Sequence, residues 1–88
     1  MKIKEGFTLR PLLGEHIVVG EGLAQVNFNK MLTLNASAAY LWEQVADKEF
    51  TREDLVRLLL ERYEVSAGQA GDDVDRMLAV WLKEGIAE

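Results

Sequence analysis

Apolar and polar positions alternate along the first third of the chain and recur at helical spacing along the rest. Phe7 and Leu9 alternate with Thr8 and Arg10, which predicts a strand over residues 7–10. His16, Ile17, Val18 and Val19 form a second, β-branched strand, and Gly14 with Glu15 supplies the turn between the two. Val26 and Phe28 then alternate with Asn27 and Asn29, so residues 24–28 are read as extended chain before a turn at Asn29 and Lys30. Met31, Leu32, Thr33 and Leu34 close the β region.

From Asn35 onward the pattern changes. Asn35 suits a helix N-cap, because its side-chain oxygen can accept from a free first-turn amide. Ala38, Leu41, Trp42 and Val45 follow on one helical stripe. Thr51 and Asp54 have capping-box spacing and open a second helix, with Phe50 and Leu55 placed as a hydrophobic staple. Leu55, Leu58, Leu59 and Tyr63 are its predicted buried stripe, and Arg52, Glu53, Arg57 and Glu61 its wet face. Ser66 and Gln69 repeat the capping-box spacing at the start of a third helix, whose inward stripe reads Val74, Leu78, Trp81 and Leu82, with Met77 at the border of the neighbouring stripe. Gly85 followed by Ile86 predicts a Schellman stop, with Ile86 folding back on Trp81. The predicted order is three strands of an antiparallel sheet and then three helices, an α+β chain whose last two helices have helix-turn-helix spacing.

Composition narrows the class. The 88 residues are 49% hydrophobic and 28% charged, which fits one globular domain over residues 1–88. No apolar run approaches the roughly 20 residues that span a bilayer. No apolar block follows the first lysines, so no secretory signal is expected. The lack of cysteine excludes disulfides and thiolate metal sites and suits a cytoplasmic protein. Charge is unevenly distributed. Residues 1–34 carry four basic side chains (Lys2, Lys4, Arg10, Lys30) against three acidic ones (Glu5, Glu15, Glu21), whereas residues 35–88 carry six basic and twelve acidic, a net of −6. A helix-turn-helix raises the prospect of DNA binding, but the first turns of the third helix hold Asp72, Asp73 and Asp75 against one cation, Arg76. Those aspartates would face phosphates, so the basic stripe that DNA recognition needs is missing.

Catalytic signatures are sparse. His16 is the single histidine and has no cysteine or second histidine to share a metal with. Ser37 and Ser66 are explained by helix starts, and no nucleophile, base and orienting group fall together. Asp72, Asp73 and Asp75 point in different directions around a helix whose positive end already favours them. The glycines at 14, 20 and 22 make neither a dinucleotide fingerprint nor a phosphate loop. No cofactor or metal is expected, and the chain is read as a binding module, not an enzyme.

Four stretches carry a resemblance: GFTLR (residues 6–10), LNASAAYLW (34–42), TREDLVRLLLERYEV (51–65) and DDVDRMLAVWLKEGI (72–86). In order and spacing the chain resembles the PqqD family, the peptide chaperones of coenzyme PQQ synthesis, also called RiPP recognition elements. The resemblance implies a winged helix-turn-helix-like fold. It also implies a task, binding the leader segment of a ribosomally made precursor peptide and presenting it to a modifying enzyme, often a radical SAM protein. In such proteins the leader adds as a strand to the third strand of the sheet, beside the third helix. Carried onto this sequence, the receiving edge is Lys30, Met31, Leu32, Thr33 and Leu34, and the helix contributes Arg76, Met77, Val80 and Lys83. Met31 and Thr33 fall on one face of that strand and Leu32 and Leu34 on the other; sequence leaves open which pair enters the core. The predicted partners are thus a precursor peptide and its modifying enzyme, with no nucleic acid and no membrane. A winged-helix DNA-binding or transcription-associated domain is the alternative, and a subunit-interaction domain without a leader peptide is a third.

Overall fold

The structure, a computed structural model, describes residues 1–21 and 32–88. Its elements follow the predicted order: β1 (Phe7–Leu12), β2 (Glu15–Gly20), β3 (Leu32–Leu34), α1 (Ala36–Val45), α2 (Arg52–Arg62) and α3 (Ala67–Lys83). The expected strand over residues 24–28, the turn at Asn29 and Lys30, and Met31 lie outside the described residues.

The sheet is antiparallel with order β1-β2-β3. Its hairpin turn sits one residue earlier than Gly14 and Glu15 suggest. Leu12 pairs with Glu15, so Leu13 and Gly14 are the two central residues, and both have positive φ (52° and 81°). That is the primed geometry whose twist matches the flanking strands, and it lets both strands run longer than their alternation indicates. Pro11 is tolerated within β1 because that strand is an edge.

Register decides which face meets the helices. Leu9, Val18 and Leu32 form one cross-strand row, and Pro11, His16 and Leu34 the next. Val18 and Leu34 are buried and Leu32 is half-buried against the core, so this face is the inner one. Arg10, Ile17 and Thr33 share a row on the opposite face. The pair left open by the sequence is thereby resolved: Leu32 and Leu34 serve the core, and Thr33 is exposed.

The helices begin where their caps dictate. Asn35 accepts from the Ala38 amide at 2.8 Å, and Ser37 Oγ donates to the same Asn35 oxygen at 3.0 Å. Thr51 and Asp54 complete a reciprocal capping box at 3.1 and 2.9 Å. These backbone and side-chain hydrogen bonds to Thr51 stabilise the ionised Asp54 carboxyl and lower its pKa. The second predicted box is only half made. Ser66 accepts from the Gln69 amide at 3.1 Å, but the Gln69 side chain donates onward to Asp73 at 2.9 Å instead of back to the cap. At the far end of α3, Gly85 (φ 75°) permits both Schellman bonds, Ile86 N–H to Trp81 O at 3.0 Å and Gly85 N–H to Leu82 O at 3.2 Å.

Trp42 of α1 and Trp81 of α3 meet edge to face at the centre of the core, with ring centroids 5.4 Å apart. Leu41, Val45, Leu55, Val74 and Ile86 close around them. Leu82 is a correction to the predicted inward stripe, being 49% exposed, because α3 buries the face through Val74, Leu78 and Trp81 and Leu82 falls beside it. Arg52 ties α2 to α3 through two hydrogen bonds to Asp75, at 2.5 and 3.1 Å. The guanidinium holds the Asp75 carboxyl below its usual range. Gly71 leaves room for this pair, since a Cβ there would stand 2.9 Å from the guanidinium. One pairing has no signal in the hydrophobic pattern: Ile3 bridges to Ala87, with reciprocal Lys2–Glu88 backbone bonds at 2.8 and 2.9 Å.

Candidate functional site

β3 bonds to β2 along one side only, and among the described residues no strand pairs with its other side. Consecutive residues of an antiparallel strand direct their amide and carbonyl to alternate sides, so part of the β3 backbone is turned to this open edge. Two forces place it there. Asn35 ends the strand by capping α1, and the inward Leu32 and Leu34 fix the strand's roll against the core.

α3 runs beside this edge and the space between them is a groove of about 340 Å³. Leu32, Thr33 and Leu34 form the strand wall, and Arg76, Met77 and Val80 line the helix wall. Six of the nine residues expected from the sequence are therefore brought together. Lys30 and Met31 lie outside the described residues, and Lys83 is exposed on α3 but does not line the groove. Val80, an apolar residue amid charged neighbours, is 42% exposed and turned to this space.

Four lining residues were not singled out for the site by sequence: Asn35, Ala38, Asp73 and Trp81. Asp73 had a signal, since it precedes Arg76, Met77 and Val80 by three, four and seven positions on one helical stripe. In the structure it orders the polar part of the wall. Its Oδ1 accepts from Arg76 at 2.6 Å and from Gln69 at 2.9 Å, so the guanidinium is held along the helix. The wall thus offers one oriented cation–carboxylate pair beside apolar Met77 and Val80. Trp81 lies beneath them, fully buried, and connects the groove to the core.

The three aspartates near the start of α3 diverge, as their positions around the helix imply. Asp73 pairs with Arg76, Asp75 pairs with Arg52, and Asp72 is exposed. Among the described residues no group of three metal-ligating side chains forms. His16 is half-buried on β2, opposite Leu34 and away from any partner acid or nucleophile in the groove lining. The groove combines a strand edge that no strand pairs among the described residues, alternating side-chain positions, apolar surface and one fixed charge pair.

The family model for coenzyme PQQ synthesis protein D (PqqD) matches residues 15–87, which include all of β2, β3 and the three helices. The chain belongs to the PqqD family. No curated protein matches it in sequence. Two solved structures share the PqqD-like fold. TbiB1, in complex with the TbiA(beta) leader peptide, superposes with a TM-score of 0.76 at 16% identity, covering 100% of this chain and 95% of TbiB1. A lasso peptide synthetase B1 complexed with the leader peptide gives 0.72 at 16% identity, covering 99% of this chain and 95% of the synthetase. At that identity the likeness is one of architecture, three antiparallel strands followed by three helices. No helix among the described residues is long and apolar enough to cross a membrane.

Proposed function

We propose that this PqqD-family chain is a non-catalytic recognition module that binds the leader segment of a ribosomally synthesised precursor peptide and presents it to a modifying enzyme. The observation that carries the reading is the edge of β3 that no strand pairs among the described residues, set as one wall of a groove whose other wall is α3. A peptide laid in the groove extends the sheet by one strand. Its backbone bonds to β3, and alternate side chains meet Leu32, Met77 and Val80 on one side and solvent on the other. Arg76, held by Asp73, supplies a directional polar contact for a carboxylate or carbonyl of the peptide. The two solved structures of the same fold, each described with a leader peptide, support this reading.

The groove's polar groups favour holding over transformation. Asp73 is committed to Arg76 and Gln69, and Asn35 to capping α1, so among the described residues of the groove no base is poised against a nucleophile. The same charges disfavour DNA, since the helix that would enter a groove of the duplex presents Asp72, Asp73 and Asp75. In this reading the second partner is the peptide-modifying enzyme, for which a radical SAM protein is one candidate class, and the pair acts in the cytoplasm.

The test is an NMR titration of the labelled protein with the leader of a short open reading frame adjoining this gene. Amide shifts should concentrate at residues 30–34 and 73–83. Saturable binding with shifts confined to the β1–β2 hairpin or to α2 would overturn the strand-edge reading, and salt-sensitive binding to duplex DNA would reinstate a nucleic-acid role.

A further inference from the structure

The groove does not end at Leu34. A second cavity of about 380 Å³ lies past the N-terminus of α1, walled by Leu59 and Tyr63 at the end of α2, by Val65 in the following turn and by the first turn of α1. Asn35 and Asp73 line both cavities, so the two are compartments of one trough that share a sill. Their chemistry differs. The first carries the strand edge and the Arg76–Asp73 pair, whereas the second presents Leu59, the Tyr63 ring and Val65. Tyr63 is fixed edge-on to Tyr40, with centroids 6.2 Å apart, and Arg62 stands over the Tyr40 ring at 5.4 Å. Val65 is 37% exposed in a turn, where folding alone gives an apolar side chain little to pack on.

Chain direction says what reaches this compartment. β3 runs from Leu32 toward Asn35, that is, toward the sill. Antiparallel pairing is the more stable ladder per residue, and the whole sheet is antiparallel. A peptide added in that sense leaves β3 at Asn35 with its own N-terminal side. We propose that the second cavity is an anchor site for an apolar side chain of the bound peptide, in the segment N-terminal to the residues that pair with β3. This rests on the strand-addition reading above and adds a bipartite requirement to it: an extended stretch that bonds to the edge, preceded by a hydrophobic anchor. A cavity of this size lies within the range that holds a small ligand group, and it needs no charge to do so.

The experiment selects binders from a phage-displayed library of random peptides against the full chain, then measures one selected peptide and its progressive N-terminal truncations by fluorescence anisotropy. Three proteins are compared: the unaltered chain, Val65→Asp and Val80→Asp, with Val65→Ser as a milder change and circular dichroism to establish folding. Val65→Asp should weaken the full-length peptide about tenfold, the consequence of setting a charge against one apolar side chain, and leave the truncated peptide's affinity unchanged. Val65→Ser should follow with a smaller loss, and Val80→Asp should weaken both peptides. Equal binding of the full-length peptide to the unaltered and Val65→Asp proteins, with Val80→Asp still impaired, would overturn the anchor while leaving strand addition intact. Loss of the Val65 effect on C-terminal instead of N-terminal truncation would overturn its direction. A selection that returns no binder sensitive to Val80→Asp would overturn both readings.

Discussion

Val80 offers the sharpest test of the α3 wall, because its replacement separates binding from folding. Val80→Ala removes two methyl groups from a side chain that is 42% exposed in the free protein. Burying a methyl-sized group contributes about 0.8 kcal/mol, and only the exposed fraction remains to be covered by a peptide, so the expected loss is about 0.7 kcal/mol, or roughly threefold in Kd. The groove is open and the ligand can settle, so little is added for a trapped cavity. Folding should move the other way. Alanine is the better helix former by several tenths of a kcal/mol, and Val80 gives the core little to lose. Val80→Asp should cost about tenfold or more, since a carboxylate would be desolvated under the peptide. Anisotropy with a labelled peptide reads the affinity, and a thermal melt followed by circular dichroism reads the fold. Unchanged affinity in both variants, with both fully folded, would show that the α3 wall is not part of the interface.

Other outcomes follow from single features. Leu13→Asn relieves a left-handed leucine at a hairpin tip, where it is 95% exposed, and should raise stability by about 1 kcal/mol, or about 4–8 °C in Tm. Gly68→Ala meets only the Ser66 hydroxyl, 4.0 Å away, and should raise the denaturant midpoint by the helix-propensity gain of about 1 kcal/mol. Asp54 and Asp75 have folded pKa values below the ordinary aspartate value, so the stability they confer is present above the unfolded pKa and is lost as pH falls through the folded one. Urea midpoints should therefore fall steadily below about pH 4, and Asp75→Asn should flatten that fall; an unchanged profile in the variant would contradict the role given to Arg52. Of Leu32→Pro and Thr33→Pro, the one whose amide points to the open edge should lose peptide binding while keeping its melting profile, and the other should unfold the strand pairing. Two variants that both melt normally and bind normally would refute the open-edge interface.

The helical half of the fold was legible because its signals are local. Thr51, Asp54, Ser66, Gly85 and the Leu41–Trp42 stripe each act within one or two turns, and each appears in the structure where its chemistry places it. Two errors on α3 share a cause, which is competition among neighbours on the same helix. Gln69 abandons its cap because Asp73 is a better partner, and Leu82 is left outside because Trp81 and Leu78 already fill the core side of α3. The turn at Leu13 defeats a residue-type rule, since leucine rarely takes positive φ and only the Leu12–Glu15 register reveals it. Ile3 could not be assigned from periodicity, because a single bridge to Ala87 has none. For the site, Leu32, Thr33, Leu34, Arg76, Met77 and Val80 came from helical and strand spacing combined with the family resemblance. The second compartment was not legible because Leu59, Tyr63 and Val65 meet Asp73 and the first turn of α1 only through tertiary packing.

The backbone edge of β3 has its own consequence. Each of its residues that turns its backbone outward offers one donor and one acceptor, and among Leu32–Leu34 one or two do so. Such bonds net about 1 kcal/mol apiece, so Leu32–Leu34 contribute about 2–4 kcal/mol toward the roughly 8 kcal/mol of micromolar affinity. Backbone pairing is blind to sequence. In the proposed mode of binding the edge therefore acts as a ruler that fixes where a partner's residues fall, and discrimination among peptides is left to the side chains that the ruler brings over the trough.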